Sequence, residues 1–350
     1  MQNERELYRV EQLPIFQNRM YESAREAREC PRGDVRLVQN LATGLIYNAD
    51  FHPELMLYDT RYQNEQAVSP QFRGHLDTVV RIVERTMGRV GLVEVGCGKG
   101  YFLNLLSECG FDITGFDPTY EGSNPRVKRH YFEPGVGITA QGLILRHVLE
   151  HVQDPLPFLQ NLLAANSGAG LIYVEVPCFD WICEHRAWFD VFYEHVNYFR
   201  LADFQRMFGH IIESGRLFGG QYLYVVADLT SLQTPRIEIR DEITFPDDFL
   251  RSLDDDTMHE TSAVWGGASK GVIFTLLRVR RGHPIEIVID INPAKQGRFL
   301  PVTGLRIHSP KEGLARLPAG ATLYIMNSNY LEEIKQMSNN TYRYLSIDHD

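Results

Sequence analysis

Seven residues constrain this chain more than any others. Glu94-Val95-Gly96-Cys97-Gly98-Lys99-Gly100 joins an apolar run over 90–95 to an amphipathic stretch over 101–109. A buried strand that turns straight into a helix needs backbone free to adopt positive φ and small enough to let a ligand approach, and alternating glycines supply both. Strand, glycine turn and helix in that order form the first βα unit of a doubly wound sheet, whose ligands bind at the carboxyl edge of the strands. The segments that follow keep the alternation. Strands are expected over 111–116, 142–145 and 171–176, a helix over about 157–166, and closing antiparallel strands over 219–229. A helix is expected from Ser69-Pro70 to about Met87, because Phe72, Leu76, Val79, Val80 and Val83 keep helical spacing. A second α/β unit starts near Ser262, with strands over 285–290 and 322–326. Residues 58–66 show no clear period.

The fold class is therefore α/β. Residues 1–75 form a small N-terminal lobe, 76–230 a Rossmann-like sheet domain, 231–261 a charged, proline-containing connector with some helix, and 262–350 a second Rossmann-like domain. The chain has 350 residues, enough for several such units, and 45 acidic against 35 basic side chains, a formal charge of −10. With no basic run to offset that balance, a nucleic-acid partner is not expected. No apolar run approaches the roughly 18–20 residues needed to span a bilayer, and the first 30 residues carry charges throughout, so the reading is cytoplasmic, with no membrane partner. The five cysteines are scattered and form no Cys-x-x-Cys pair, which points to reduced thiols and no bound metal.

The loop alone would also suit a dinucleotide. Two features favour S-adenosylmethionine instead. Tyr101 stands where the last glycine of Gly-x-Gly-x-x-Gly would be, and Glu94 precedes the turn. A carboxylate there suits a ligand carrying an ammonium and a sulfonium better than a pyrophosphate. Glu94, Gly96, Gly98 and Gly100 are the expected donor-binding residues. Asp117, which ends the next strand, would accept the ribose hydroxyls. His147-Val148-Leu149-Glu150-His151 matches a His-x-x-Glu-His zinc-peptidase pattern. Its place directly after a sheet strand suggests a pocket wall instead, with His147 beside the donor, or simply packing and capping histidines. Phe192-Tyr193-Glu194-His195-Val196-Asn197-Tyr198 concentrates two phenols, an imidazole and a carboxylate. Methylation of carbon needs a base, and an imidazole with a pKa of roughly 6.5 suits that task. An aromatic surface holding a structural histidine is the other reading.

These segments, with Trp265-Gly266-Gly267-Ala268-Ser269-Lys270-Gly271 and the 290–301 stretch, resemble the sugar C-methyltransferases that methylate C3 of nucleotide-linked 4-keto-6-deoxy sugars. The resemblance runs over about 58–329. It implies that the middle domain binds S-adenosylmethionine as a class I methyltransferase and that the C-terminal domain helps hold a nucleotide sugar. It also implies that Tyr193 and His195 are the active-site pair, with His195 the base and Glu194 between them, and that His151 and Tyr62 share the site; Tyr193 or Tyr198 is expected to stabilise the enolate. Lys270, Lys295 or Arg298 could hold a diphosphate and Asp290 a ribose, unless that second turn serves packing alone. The chain departs from the family at its zinc cysteines. Asn40-Leu41-Ala42-Thr43-Gly44-Leu45 stands in place of a Cys-x-x-Cys-Gly-Leu segment, so the lobe is expected to be metal-free, and the acceptor could differ from a keto sugar. Methyl transfer to oxygen or nitrogen of another metabolite or glycan precursor, and a non-catalytic two-lobed binding protein, are the alternatives. Nothing in the sequence fixes an oligomeric state.

Overall fold

Three sheets follow one another along the chain, and the order of strands within each decides where a ligand can sit. The computed structural model describes residues 3–57, 61–62, 66–237, 241–253 and 261–348. Most of the aperiodic stretch over 58–66, and positions 238–240 and 254–260 of the connector, lie outside the described residues.

The N-terminal lobe is a four-stranded sheet ordered β1 (Glu4–Pro14), β2 (Arg32–Asn40), β3 (Ile46–Asn48) and β9 (Asn197–Tyr198). The last strand comes from the central region, so the segment just after His195 is stitched into this lobe through Ile46–Tyr198 and Tyr47–Asn197 pairs. The turn over 40–45 is closed by Asn40, whose Oδ1 accepts from the backbone N–H groups of Ala42 and Thr43, and Arg206 donates to the carbonyl of Thr43.

The central sheet is ordered β10 (Ile211–Leu217), β11 (Tyr222–Asp228), β8 (Leu171–Pro177), β7 (Gly142–Arg146), β4 (Leu92–Val95), β5 (Ile113–Phe116) and β6 (Val127–Lys128). Strands β4 to β8 run parallel and β11 runs antiparallel to both of its neighbours. The chain reverses its strand order between β4 and β7, the place where doubly wound sheets open a crevice. The closing hairpin begins earlier than its sequence suggests. Phe218, Gly219 and Gly220, all at positive φ, make the turn, and half-exposed β10 carries too few apolar side chains to announce itself.

Helix Pro70–Met87 covers this sheet. Ser69 caps it by accepting from Gln71 and Phe72 N–H, and Phe72, Leu76, Val79, Val80 and Val83 are buried. Each such side chain contributes roughly 1.5–3 kcal/mol against about 1 kcal/mol for a cap, so the stripe fixes the helix.

The C-terminal sheet is all parallel, ordered β14 (Ile307–His308), β13 (Ile287–Ile289), β12 (Ser262–Trp265), β15 (Thr322–Ile325) and β16 (Arg343–Ser346). Its strand order reverses between β12 and β15, beside the 266–271 turn.

Candidate active site

Both reversal points open into one cavity of about 380 Å³, within the usual roughly 300–1,000 Å³ of small-molecule sites. The first wall is the donor turn. Gly96, Gly98 and Gly100 all have positive φ, and a Cβ on Gly96 would stand 2.6 Å from Val148 Cγ2. Gly96 and Gly98 line the cavity, whereas Gly100 caps helix Tyr101–Glu108 behind it. Asp117 does not line the cavity. It accepts from Gly98 N–H at 2.7 Å and from Thr119, which fixes the turn against the end of β5.

Glu94 faces the cavity from inside β4, and its Oε2 has no hydrogen-bond partner among the described residues. Burial pushes its carboxyl up to about 8, partly opposed by Arg146. Arg146 donates to Glu175 at 2.9 Å and lies over the Phe102 ring. Burial opposes ionisation of Glu175, but Arg146 together with His147 and His75 holds it well below the carboxylate range. His147 lies between Glu150 and Glu175, 3.2 Å from each. Although burial disfavours its charge, the two carboxylates raise it to about 9. The ring packs edge-on to Tyr222. A buried acid within each of the apolar strands β4 and β8 was the sequence signal for this network, since such residues are rarely buried without a partner or a task.

The His147–His151 segment is not a helix. Only Leu149–His151 makes a 3₁₀ turn, and His147 sits at positive φ, so the i and i+4 face expected of a zinc peptidase does not exist. His151 and His195 both line the cavity with ring centroids 5.0 Å apart. Burial, followed by the proximity of His151, His147 and Lys270, holds His195 well below its ordinary pKa. The imidazole is therefore neutral near pH 7 and can accept a proton.

Several expected neighbours are elsewhere. Tyr193 is fully buried outside the cavity. Its hydroxyl accepts from His52 N–H at 2.8 Å and its ring fills the space over Gly33, where a Cβ would stand 2.3 Å away. Tyr198 spends its hydroxyl on Phe192, accepting from the N–H at 2.9 Å and donating to the carbonyl at 3.0 Å. Neither phenol can reach an enolate in the cavity, and Phe192 presents a plain aromatic face there. Glu194 turns away from the His195 ring. It accepts from Tyr62 Oη at 2.8 Å and from the backbone of Gln17 and Asn18, and this pulls Asn18 and Tyr62 onto the cavity rim.

The C-terminal turn forms the opposite wall. Lys270, Asp290 and Lys295 line the cavity, and Arg298 lies outside it, paired with Glu22. Asp290 accepts from Gly267 N–H at 2.7 Å, with the Lys295 ammonium 3.5 Å away. Lys270 is tied to Asp190 at 3.0 Å and to Gln221 at 2.9 Å, over the Trp181 ring. Asp190 and Tyr222 are cavity residues that the motifs did not single out. They lie in a short turn and a closing strand, neither of which carries a recognisable spacing.

Comparison with known proteins gives two family matches along the chain. Residues 71–211 match the family described as "Methyltransferase domain", and 242–344 match the family described as "C-methyltransferase C-terminal domain". The C-methyltransferase NovU of Streptomyces niveus is 23% identical over 304 residues, 73% of this chain and 71% of that relative. Among solved structures, 1,6-didemethyltoxoflavin-N1-methyltransferase of Burkholderia thailandensis is 17% identical over 44% of this chain and 77% of its own, with a TM-score of 0.34. A SAM-dependent methyltransferase of Aquifex aeolicus is 14% identical over 47% of this chain and 95% of its own, with a TM-score of 0.35.

Proposed function

We propose, from the premise that the chain is an S-adenosylmethionine-dependent methyltransferase with a C-methyltransferase C-terminal domain, that it methylates carbon in a nucleotide-linked keto-deoxy sugar through an enolate. One observation carries this reading: the two glycine turns open into the same cavity, with a neutral imidazole between them. The 96–100 turn, Glu94 and His147 hold the donor. The C-terminal turn, with Lys295 and Asp290, holds the nucleotide end of the acceptor.

His195 takes the proton from the carbon next to the ketone. The C–H pair becomes the enolate, and its charge faces the Lys270 ammonium, whose field already reaches His195. The enolate carbon then attacks the sulfonium methyl in line, from a near-attack distance of about 3 Å. The bond to sulfur breaks and leaves S-adenosylhomocysteine. Tyr62 and Asn18, held by Glu194, close the rim and exclude water.

A keto-sugar nucleotide deuterated at the acidic carbon tests the reading. Methylation with loss of the label at that carbon is the expected result. A product methylated on oxygen or nitrogen with the label retained would rule it out. Such a product would favour the reading in which the altered 40–45 turn accompanies a different acceptor.

A further inference from the structure

The turn Leu149–His151 brings together three side chains whose grouping methyl transfer does not explain. Ligand atoms of Glu150, His151 and His195 lie within 4.8 Å of one another. The Nδ1–H of His151 donates to the Glu194 carbonyl at 2.8 Å, which leaves Nε2 with its lone pair free; metal-binding histidines are oriented by the same kind of contact. Glu150 is 1% exposed, yet its Oε2 has no hydrogen-bond partner among the described residues, while Oε1 faces His147. No hydrogen bond engages the ring nitrogens of His195 among the described residues. Two imidazoles and a carboxylate suit first-row divalent ions and leave further positions for exogenous oxygen. Metal–ligand bonds of about 2.0–2.2 Å set ligands of one ion about 3–3.5 Å apart, so side-chain shifts of about an ångström would complete the site.

We propose that Glu150 Oε2, His151 Nε2 and a ring nitrogen of His195 bind one first-row divalent cation on the cavity wall, with coordination positions open to the cavity. This departs from the metal-free expectation of the sequence. It rests on the proposed base in one respect. An ion on the lone pair of His195 removes that nitrogen from proton transfer, so the loaded protein methylates slowly and a chelator restores the rate.

Titration of the full chain with Co²⁺, with donor and acceptor absent, tests the site through visible absorption and calorimetry. The expected result is one Co²⁺ per chain, with affinity reduced about tenfold or more by Glu150→Gln, His151→Gln or His195→Gln. Paramagnetic broadening of the His151 and His195 ring resonances in the unaltered chain reads the same site without depending on how a variant folds. Absence of binding, affinity unmoved by the three substitutions, or a thiolate-to-cobalt band from Cys97 or Cys109 would overturn the site. Unchanged turnover with the ion bound would overturn its hold on His195. Because the titration needs neither substrate, its failure leaves the methyl-transfer reading standing, and a failure of methyl transfer leaves the cation result standing.

Discussion

The two glycine turns share a backbone plan and differ in charge. In each, a turn N–H donates at 2.7 Å to the aspartate that ends the next strand, Gly98 to Asp117 and Gly267 to Asp290. Around the donor turn stands Glu94, a buried carboxyl whose Oε2 has no hydrogen-bond partner among the described residues. The corresponding strand of the C-terminal sheet ends in apolar Trp265, and ammonium groups follow at Lys270 and Lys295. On the proposed reading Glu94 would meet the cationic end of the donor, beside Lys99 of the same turn, and Lys270 and Lys295, each paired with an aspartate, would face the acceptor.

The largest test concerns the space between the turns. His195→Ala should lower kcat by about 10²–10⁴, the usual contribution of a positioned base, while calorimetry finds donor affinity unchanged. A comparable loss of donor binding would mean that His195 belongs to one turn rather than to the gap between them.

Next come the turns themselves. Gly96→Ala places a Cβ at φ +74 and 2.6 Å from Val148. Left-handed strain alone costs about 1–2 kcal/mol, so donor affinity should fall about tenfold while the acceptor KM holds. Gly271→Ala would set its Cβ 1.8 Å from the Gly266 carbonyl oxygen, and it should raise the acceptor KM while donor binding holds. If each substitution disturbed both ligands equally, the two turns would not be separate sites.

Glu94 gives a smaller, pH-dependent effect. Its carboxyl, raised to about 8 by burial with Arg146 and Asp117 nearby, is protonated in the donor-free protein near pH 7. A sulfonium and an ammonium favour the carboxylate, so donor binding expels this proton. Donor affinity should therefore rise as pH climbs from 6 towards 8 and then level off, and Glu94→Gln should flatten the profile. Isothermal titration in buffers of different ionisation enthalpy would count the released proton. No release at pH 7 would remove Glu94 from donor recognition.

What could be read from the sequence follows what local chemistry controls. The donor turn and strands β4, β5, β7 and β8 were legible because buried parallel strands are continuously apolar and glycine marks the turn, whereas two-residue β6, with Lys128 exposed, carries no such run. The N-terminal sheet was not, since both faces of β1 carry polar side chains and only its end is buried. The site shows the same limit at finer scale. Glu94, His147, His151 and His195 were identifiable as chemistry beside a turn. The orientation of 192–194 was not, because these residues lie in no helix or strand and have no period. Phe192 faces the cavity, and Tyr193 faces away because Gly33, distant in sequence, leaves a slot for its ring. Glu194 is claimed by Gln17, Asn18 and Tyr62 of the N-terminal lobe, contacts that no local pattern announces.

That slot supplies the smallest prediction and a control for the comparison. Tyr193 does not line the cavity, and among the described residues its hydroxyl makes one hydrogen bond, from His52 N–H. Removing it with Tyr193→Phe should cost about 0.5–1.5 kcal/mol of stability in a denaturant melt, since the part-buried hydrogen bond from His52 N–H is lost. Turnover and both ligand affinities should stay within about twofold, about 0.4 kcal/mol, because Tyr193 lines no part of the cavity. Tyr62→Phe is the informative partner variant, since its hydroxyl holds Glu194 and its ring lies on the rim. It should affect turnover more than stability. If Tyr193→Phe instead abolished turnover while the fold melted normally, a phenol would be acting in the reaction, and the space between the two turns would have to extend past Phe192 to reach it.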